Sequence, residues 1–121
     1  MAVTQAITHT AHQMSVVATF TADGDADIAL PDKAVDKASF QSDGVDGGGT
    51  LTVLASNDGS NFVAIGFNTS ADPRNTTAVS SVTAAGAWLI PQELLGFKHF
   101  RFHLTGSTTP TLVLTINFTT R

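Results

Sequence analysis

Apolar and polar residues alternate with a period of two along most of the chain, which is the signature of half-buried β-strands. Residues 14–20, MSVVATF, set Met14, Val16, Ala18 and Phe20 on one face. In 37–41, Ala38 and Phe40 share a face, and 50–55 alternates Leu51, Val53 and Ala55 against Thr50, Thr52 and Leu54. Residues 61–67 bring Val63, Ile65 and Phe67 together. The two clearest runs come last. FKHFRFHL, 97–104, sets Phe100, Phe102 and Leu104 against His99, Arg101 and His103. TLVLTINF, 111–118, sets Leu112, Leu114, Ile116 and Phe118 against Thr111, Val113, Thr115 and Asn117.

Between these runs lie TADGDAD (21–27), SDGVDGGG (42–49), SNDGSN (56–61), NTSADPRN (68–75), AAGA (84–87) and TGSTTP (105–110). Their Gly, Asp, Asn, Ser and Pro are turn chemistry. Within SNDGSN, Asn57, Asp58 and Gly59 tolerate the left-handed backbone of a hairpin connection. IPQELLGF, 90–97, begins near Pro91 and ends near Gly96, so it supports at most one helical turn. Short strands with frequent breaks predict an all-β, antiparallel β-sandwich of jelly-roll type. Residues 1–13 carry little period-two signal and read as an extended N-terminal arm, disordered or ordered only against a neighbour, ahead of a sandwich domain at 14–121.

A length of 121 residues fits one domain with one core. Only 13% of the residues are charged, against about 25% in ordinary globular proteins. The surface must then be built largely from Thr, Ser, Asn, Gly and Ala, which favours a protein that works assembled with partners. The net charge is −4, and the six Lys and Arg are scattered. A nucleic-acid role would therefore lack its electrostatic footprint. The chain has no Cys, so thiolate chemistry and disulfides are excluded. It contains no apolar run of about 18 residues that could span a membrane. The stretch MAVTQAITHTAHQM does not read as a signal peptide.

Chemistry-bearing constellations are sparse. Asp23, Asp25 and Asp27 have calcium-loop spacing, but Ile28 and Ala34 occupy the positions where an EF-hand loop needs Gly and a carboxylate. The stretch reads more simply as a solvated turn. His99 and His103 share a strand face yet stand roughly 13 Å apart, too far to share one metal ion. With Arg101 between them they form an outward polar ridge suited to assembly contacts. No G-x-S-x-G frame surrounds a serine, and Glu93 is the sole Glu. GGG at 47–49 precedes a strand rather than a helix, the wrong context for cradling phosphate. The expectation is a non-enzyme without cofactor or metal. Trp88, the single Trp, sits in AGAWLIP between a Gly and a Pro, where it either plugs the core or stands exposed.

One combination of motifs is distinctive. A strand, S-N-D-G-S-N-F, and then V-A-I-G are followed about thirty residues later by G-F-K-H-F-R-F-H-L-T-G and the alternating T-L-V-L-T-I-N-F. Over about residues 14–120 this resembles the small β-sandwich structural proteins of tailed bacteriophages, most of all capsid decoration (cement) proteins. The family's hairpin motif falls on Ser56, Asp58, Gly59 and Phe62, and its second motif on Gly96, Phe97, Arg101 and Thr105. Similar hairpins occur in carbohydrate-binding modules, from which this chain departs in having no Tyr and in placing Phe62 where Trp is common.

The resemblance implies a virion protein on the capsid surface, made in the host cytoplasm. Its partners would be the major capsid protein and one or two further copies of itself, with no nucleic acid and no membrane. Contacts are expected from Ala2, Val3, Thr4, Gln5, Ile7, His9 and His12 of the arm and from the ridge His99, Arg101 and His103. The alternative is a tail, neck or host-adhesion module of the same fold that binds surface glycans, with Trp88 as a contact.

Overall fold

In the computed structural model, residues 3–30, 35–45, 47–69, 81–83, 86–91 and 95–120 are described. Their strands are β1 (Val3–His9), β2 (Gln13–Phe20), β3 (Gly24–Ala29), β4 (Val35–Val45), β5 (Thr50–Ser56), β6 (Val63–Ala64), β7 (Asn68–Thr69), β8 (Gly86–Ile90), β9 (His99–Thr105) and β10 (Thr111–Thr120). They form two antiparallel sheets, one of six strands in the order β1-β2-β10-β4-β8-β7 and one of four in the order β3-β9-β5-β6. From β2 onward the chain crosses repeatedly between the sheets. The arrangement β2-β10-β4-β8 facing β3-β9-β5-β6 is the eight-stranded jelly roll, with β1 and β7 added outside it. The sandwich expected from the alternation is the fold observed.

The period-two pattern builds the core directly. β10 alternates exposed or half-buried with buried positions along its whole length, and β2 and β9 do the same. Their inward residues, including Val16, Phe20, Phe100, Phe102, Leu114 and Phe118, are inaccessible to solvent. Phe40 on β4 is the aromatic hub. Its ring meets Phe67 and Phe102 edge-on, each at 5.2 Å, and stacks on Trp88 at 5.4 Å. Phe100 and Phe118 form a separate tilted pair at 5.9 Å.

Several segments differ from the sequence expectation, among them 61–67, where only Val63–Ala64 is a strand and Val63 stands 57% exposed, apart from the buried Ile65 and Phe67. Residues 3–9, expected within an arm, form β1, which pairs with β2 from Val3↔Phe20 to His9↔Met14. Every β1 residue but Val3 is exposed, so there was no buried face to leave a period. Residues 24–27, expected in a turn, open β3, whose alternation is Asp25 and Asp27 outward, Ala26 and Ile28 inward. Residues 42–45, expected in a turn, continue β4. Gly44 has φ +85° there, and a Cβ would lie 2.1 Å from the Thr111 carbonyl oxygen; the glycine is needed inside the ladder, not at a reversal. The AAGA stretch, 84–87, gives way to β8 from Gly86. The one-turn helix expected at 90–97 falls partly on residues 92–94, outside the described set, and Ile90 ends a strand.

Candidate functional site

The outer face of the four-stranded sheet carries a bound-up row of charges. Register aligns Asp25 with His103 and Asp27 with Arg101 across β3 and β9. The Arg101 guanidinium donates to both carboxylate oxygens of Asp27, at 2.6 Å from Nε and 3.0 Å from Nη2. It also lies 3.7 Å from Asp25 and 4.0 Å above the Phe62 ring centroid. Hydrogen bonding to Asp27 raises the Arg101 pKa further above its ordinary value. His103 Nδ1 meets Asp25 Oδ1. The predicted ridge His99–Arg101–His103 is therefore present, and its Arg101 and His103 are answered by acids that turn chemistry had hidden.

Asp23 accepts hydrogen bonds from the backbone N–H groups of Gly106 and Ser107, at 3.0 and 2.9 Å, and from the Ser107 hydroxyl. The Ser107 hydroxyl is the main cause of its lowered pKa. Each of the three aspartates is thus engaged by protein groups, Asp23 by the 106–107 turn, Asp25 by His103 and Arg101, and Asp27 by Arg101. Among the described residues, no group of three or more His, Asp or Glu is placed to hold a metal ion.

The SNDGSN knot joins β5 to β6, with Leu54↔Ala64 and Ala55↔Val63 paired. It is organised around one carboxylate. Asp58 Oδ1 accepts the N–H groups of Ser60 and Asn61, each at 2.8 Å, and the Ser56 hydroxyl at 2.8 Å, while Oδ2 accepts the Asn61 amide at 2.7 Å. These bonds, led by the Asn61 backbone, hold the Asp58 carboxyl far below the usual carboxylate range. Gly59 takes φ +76° against the His99 ring. The loop delivers Phe62 beneath Arg101, so hairpin and ridge are one structural unit.

The outer face of the six-stranded sheet is nearly uncharged. Its rows read Thr4–Thr19–Val113–Asp43, Ala6–Val17–Thr115–Gln41–Ala87, Thr8–Ser15–Asn117–Ser39–Leu89 and Gln13–Thr119–Lys37, with Asp43 and Lys37 at opposite ends. Gln13, Ser15 and Asn117 are tied together, the Ser15 hydroxyl donating to Asn117 Oδ1 at 2.6 Å and Gln13 to the same atom at 3.0 Å. Ser39, Gln41, Ala87, Leu89 and Thr115 line a shallow depression there. Val17 stands 38% exposed in the middle of this small-residue surface.

Of the expected contact residues, Ala2 lies outside the described set. Thr4, Gln5, Ile7 and His9 are exposed on β1, Val3 packs against the core, and His12 sits in the β1–β2 turn, where its carbonyl accepts the Thr120 N–H at 2.8 Å. The two expected groups meet at one side of the sandwich: Gln5 donates to the Asp27 carbonyl at 3.3 Å, and Asp27 holds Arg101. Trp88 is elsewhere, on β8, half-buried with one ring face on Phe40 and its edge relation to Phe67 at 6.4 Å. Asp25, Asp27 and Phe62 were missed as members of the ridge. The alternation Asp25, Asp27 against Ala26, Ile28 was the available signal.

No protein-family model matches the chain, and no curated protein matches its sequence. Among solved structures, the chain is similar to the crystal structure of the SPBc2 prophage-derived protein YomS. The superposition has a TM-score of 0.69 and 12% identity, and covers 98% of this chain and 93% of that one. At this identity the likeness shows the fold, from end to end.

Proposed function

We propose that this chain is a structural protein of a tailed-phage virion, serving as a decoration protein that binds the outer capsid surface across seams between subunits. The observation that carries the reading is the end-to-end match to a prophage-derived sandwich, which leaves almost nothing of either chain outside the shared fold. The surface supports it. A broad sheet face of Thr, Ser, Ala, Asn and Gln offers hydrogen bonds and shallow apolar contact at little desolvation cost. On the other sheet, the ridge charges Arg101 and His103 are paired with Asp27 and Asp25.

The mechanism is mechanical, and the chain acts as a binding protein without catalysis. Each copy would bridge adjacent copies of the major capsid protein, and each bridge must break before the shell opens. Many copies on a symmetric lattice act together, so weak single contacts suffice. The test is co-sedimentation with expanded capsids, followed by the temperature at which decorated and bare capsids burst. Co-sedimentation with a raised bursting temperature is the expected result. Absence of capsid binding together with retention on tails or on a bacterial polysaccharide column would replace this reading with the adhesion module.

A further inference from the structure

Among the described residues the two sheets end in four edge strands, and three of them are protected against pairing with another chain. β6 and β7 have two residues each, and β3 carries Asp25 and Asp27. Short edges and charged edges are standard defences against strand addition. β1 has neither. It runs seven residues, VTQAITH, with no Asp, Glu, Lys, Arg or Pro, and its ladder with β2 is unbroken by any bulge. Ile7 stands 48% exposed on it.

The hydrogen-bonding direction of β1 follows from its turn. Thr10 N–H donates to the Gln13 carbonyl at 2.8 Å, which makes Thr10–Gln13 a bonded pair. Bonded and non-bonded pairs alternate along an antiparallel ladder. Thr8, Ala6 and Thr4 therefore bond to β2, and His9, Ile7, Gln5 and Val3 aim their N–H and C=O groups outward. The far side of β2 keeps the same phase, since the Thr120 N–H donates to His12.

From this geometry we infer that β1 is a dimerisation edge, pairing antiparallel with β1 of a second copy about a two-fold axis through Ala6. The partner is this same chain because the strand is self-complementary in the one register that pairs all seven residues. Gln5 then opposes Ile7 of the second copy, Val3 opposes His9, Thr4 opposes Thr8, and Ala6 opposes itself. Outward groups meet outward groups, as the phase requires. The self-opposed position is a non-bonded pair, where side chains come closest, and the residue there is Ala. Threonine faces threonine, a favourable cross-strand pair. The two exposed Ile7 side chains become diagonal neighbours. No two like charges oppose. The six-stranded sheets join into one continuous sheet, and their small-residue outer faces become one surface. The inference concerns the isolated protein and stands apart from the capsid reading.

The absence of native Cys makes a direct test possible. Paired Ala6 Cα atoms would lie about 4.5 Å apart, within disulfide reach. Two Thr4 residues would be offset by four positions, roughly 13 Å. Ala6→Cys should cross-link under mild oxidation at low protein concentration, and Thr4→Cys should not. Sedimentation of the unmodified chain should give twice its 12.6 kDa. Ile7→Pro removes an outward N–H and no internal ladder bond, and Ile7→Lys places charge on the edge. Both should sediment as monomers with the circular dichroism spectrum and thermal midpoint of folded protein. A wild-type monomer across the concentration series, equal cross-linking of the two Cys variants, or an Ile7→Pro protein that is folded yet dimeric would each overturn the inference. So would loss of capsid binding in Ile7→Pro with a monomeric wild type, which would give the edge to a capsid strand instead.

Discussion

The clearest energetic test of this fold compares one substitution at two buried phenylalanines. Phe40 and Phe118 are 2% and 0% exposed, so Phe→Leu removes similar apolar area at each. Their ring environments differ. Phe40 has three aromatic partners, at 5.2, 5.2 and 5.4 Å, whereas Phe118 has one, at 5.9 Å. Ring pairs in such geometries contribute about 0.5–1.5 kcal/mol each beyond area. The two additional pairs at Phe40 should make Phe40→Leu the costlier variant by about 1–3 kcal/mol. That is a substantial part of a domain's net stability of about 5–15 kcal/mol. At about 4 °C per kcal/mol for a domain of this size, the thermal midpoints should separate by about 4–12 °C. Urea unfolding followed by far-UV circular dichroism is the suitable assay, because Trp88 fluorescence is itself altered when its stacked neighbour changes. The comparison requires equal m-values in the two variants. Equal midpoints would mean that burial alone carries these side chains and that the hub geometry adds nothing.

Two glycines with similar φ should respond oppositely in size. Gly44→Ala drives a Cβ into the Thr111 carbonyl oxygen and should abolish or severely weaken folding, while Gly48→Ala, with φ +76° and open space around it, should cost only about 1 kcal/mol by thermal melts. Asp58 has its pKa lowered from 3.8, so the stability it contributes is complete above that value and is lost as pH falls below it. Asp58→Asn should therefore be less stable than wild type at neutral pH, with the gap in melting temperature closing in acid; a gap independent of pH would assign the effect to loop shape. Arg101→Lys loses the forked contact with Asp27 and the stacking on Phe62. The side chains of the pair are 29% and 53% exposed, which limits the loss to about 1 kcal/mol. Part of that loss should disappear in high salt.

Legibility in the sequence followed burial. β2, β9 and β10 each put one face into the core, and their alternation located them to within about a residue or two. β1 was unreadable by that signal because every residue but Val3 is exposed, and the ladder with β2 is its main hold on the sheet. β3 was hidden for a different reason. Asp and Gly are depleted in strands because they compete for turns, yet here Asp25 and Asp27 are the outward half of a strand whose inward half is Ala26 and Ile28. The ridge was visible as an outward row, but its meaning depended on the register between β3 and β9, which residues 74 and 78 positions apart in sequence do not announce.

The same contrast explains why the edge matters more than the face it borders. A buried strand is written by what it contains, whereas an edge is written by what it leaves out. β3 and β1 lie side by side at one flank of the sandwich, joined by the Gln5–Asp27 bond. The first has two carboxylates and the second has no charged residue but a histidine. If both strands were merely solvated, nothing would separate their compositions, since charge is the common choice on exposed backbone. A chain with so few charged residues has spent two of its ten acids on guarding β3. It has left unguarded a strand that is longer and, paired about Ala6, self-complementary. A lysine is a common guard on an exposed edge, and its absence from β1 is what the proposed pairing with a second copy requires.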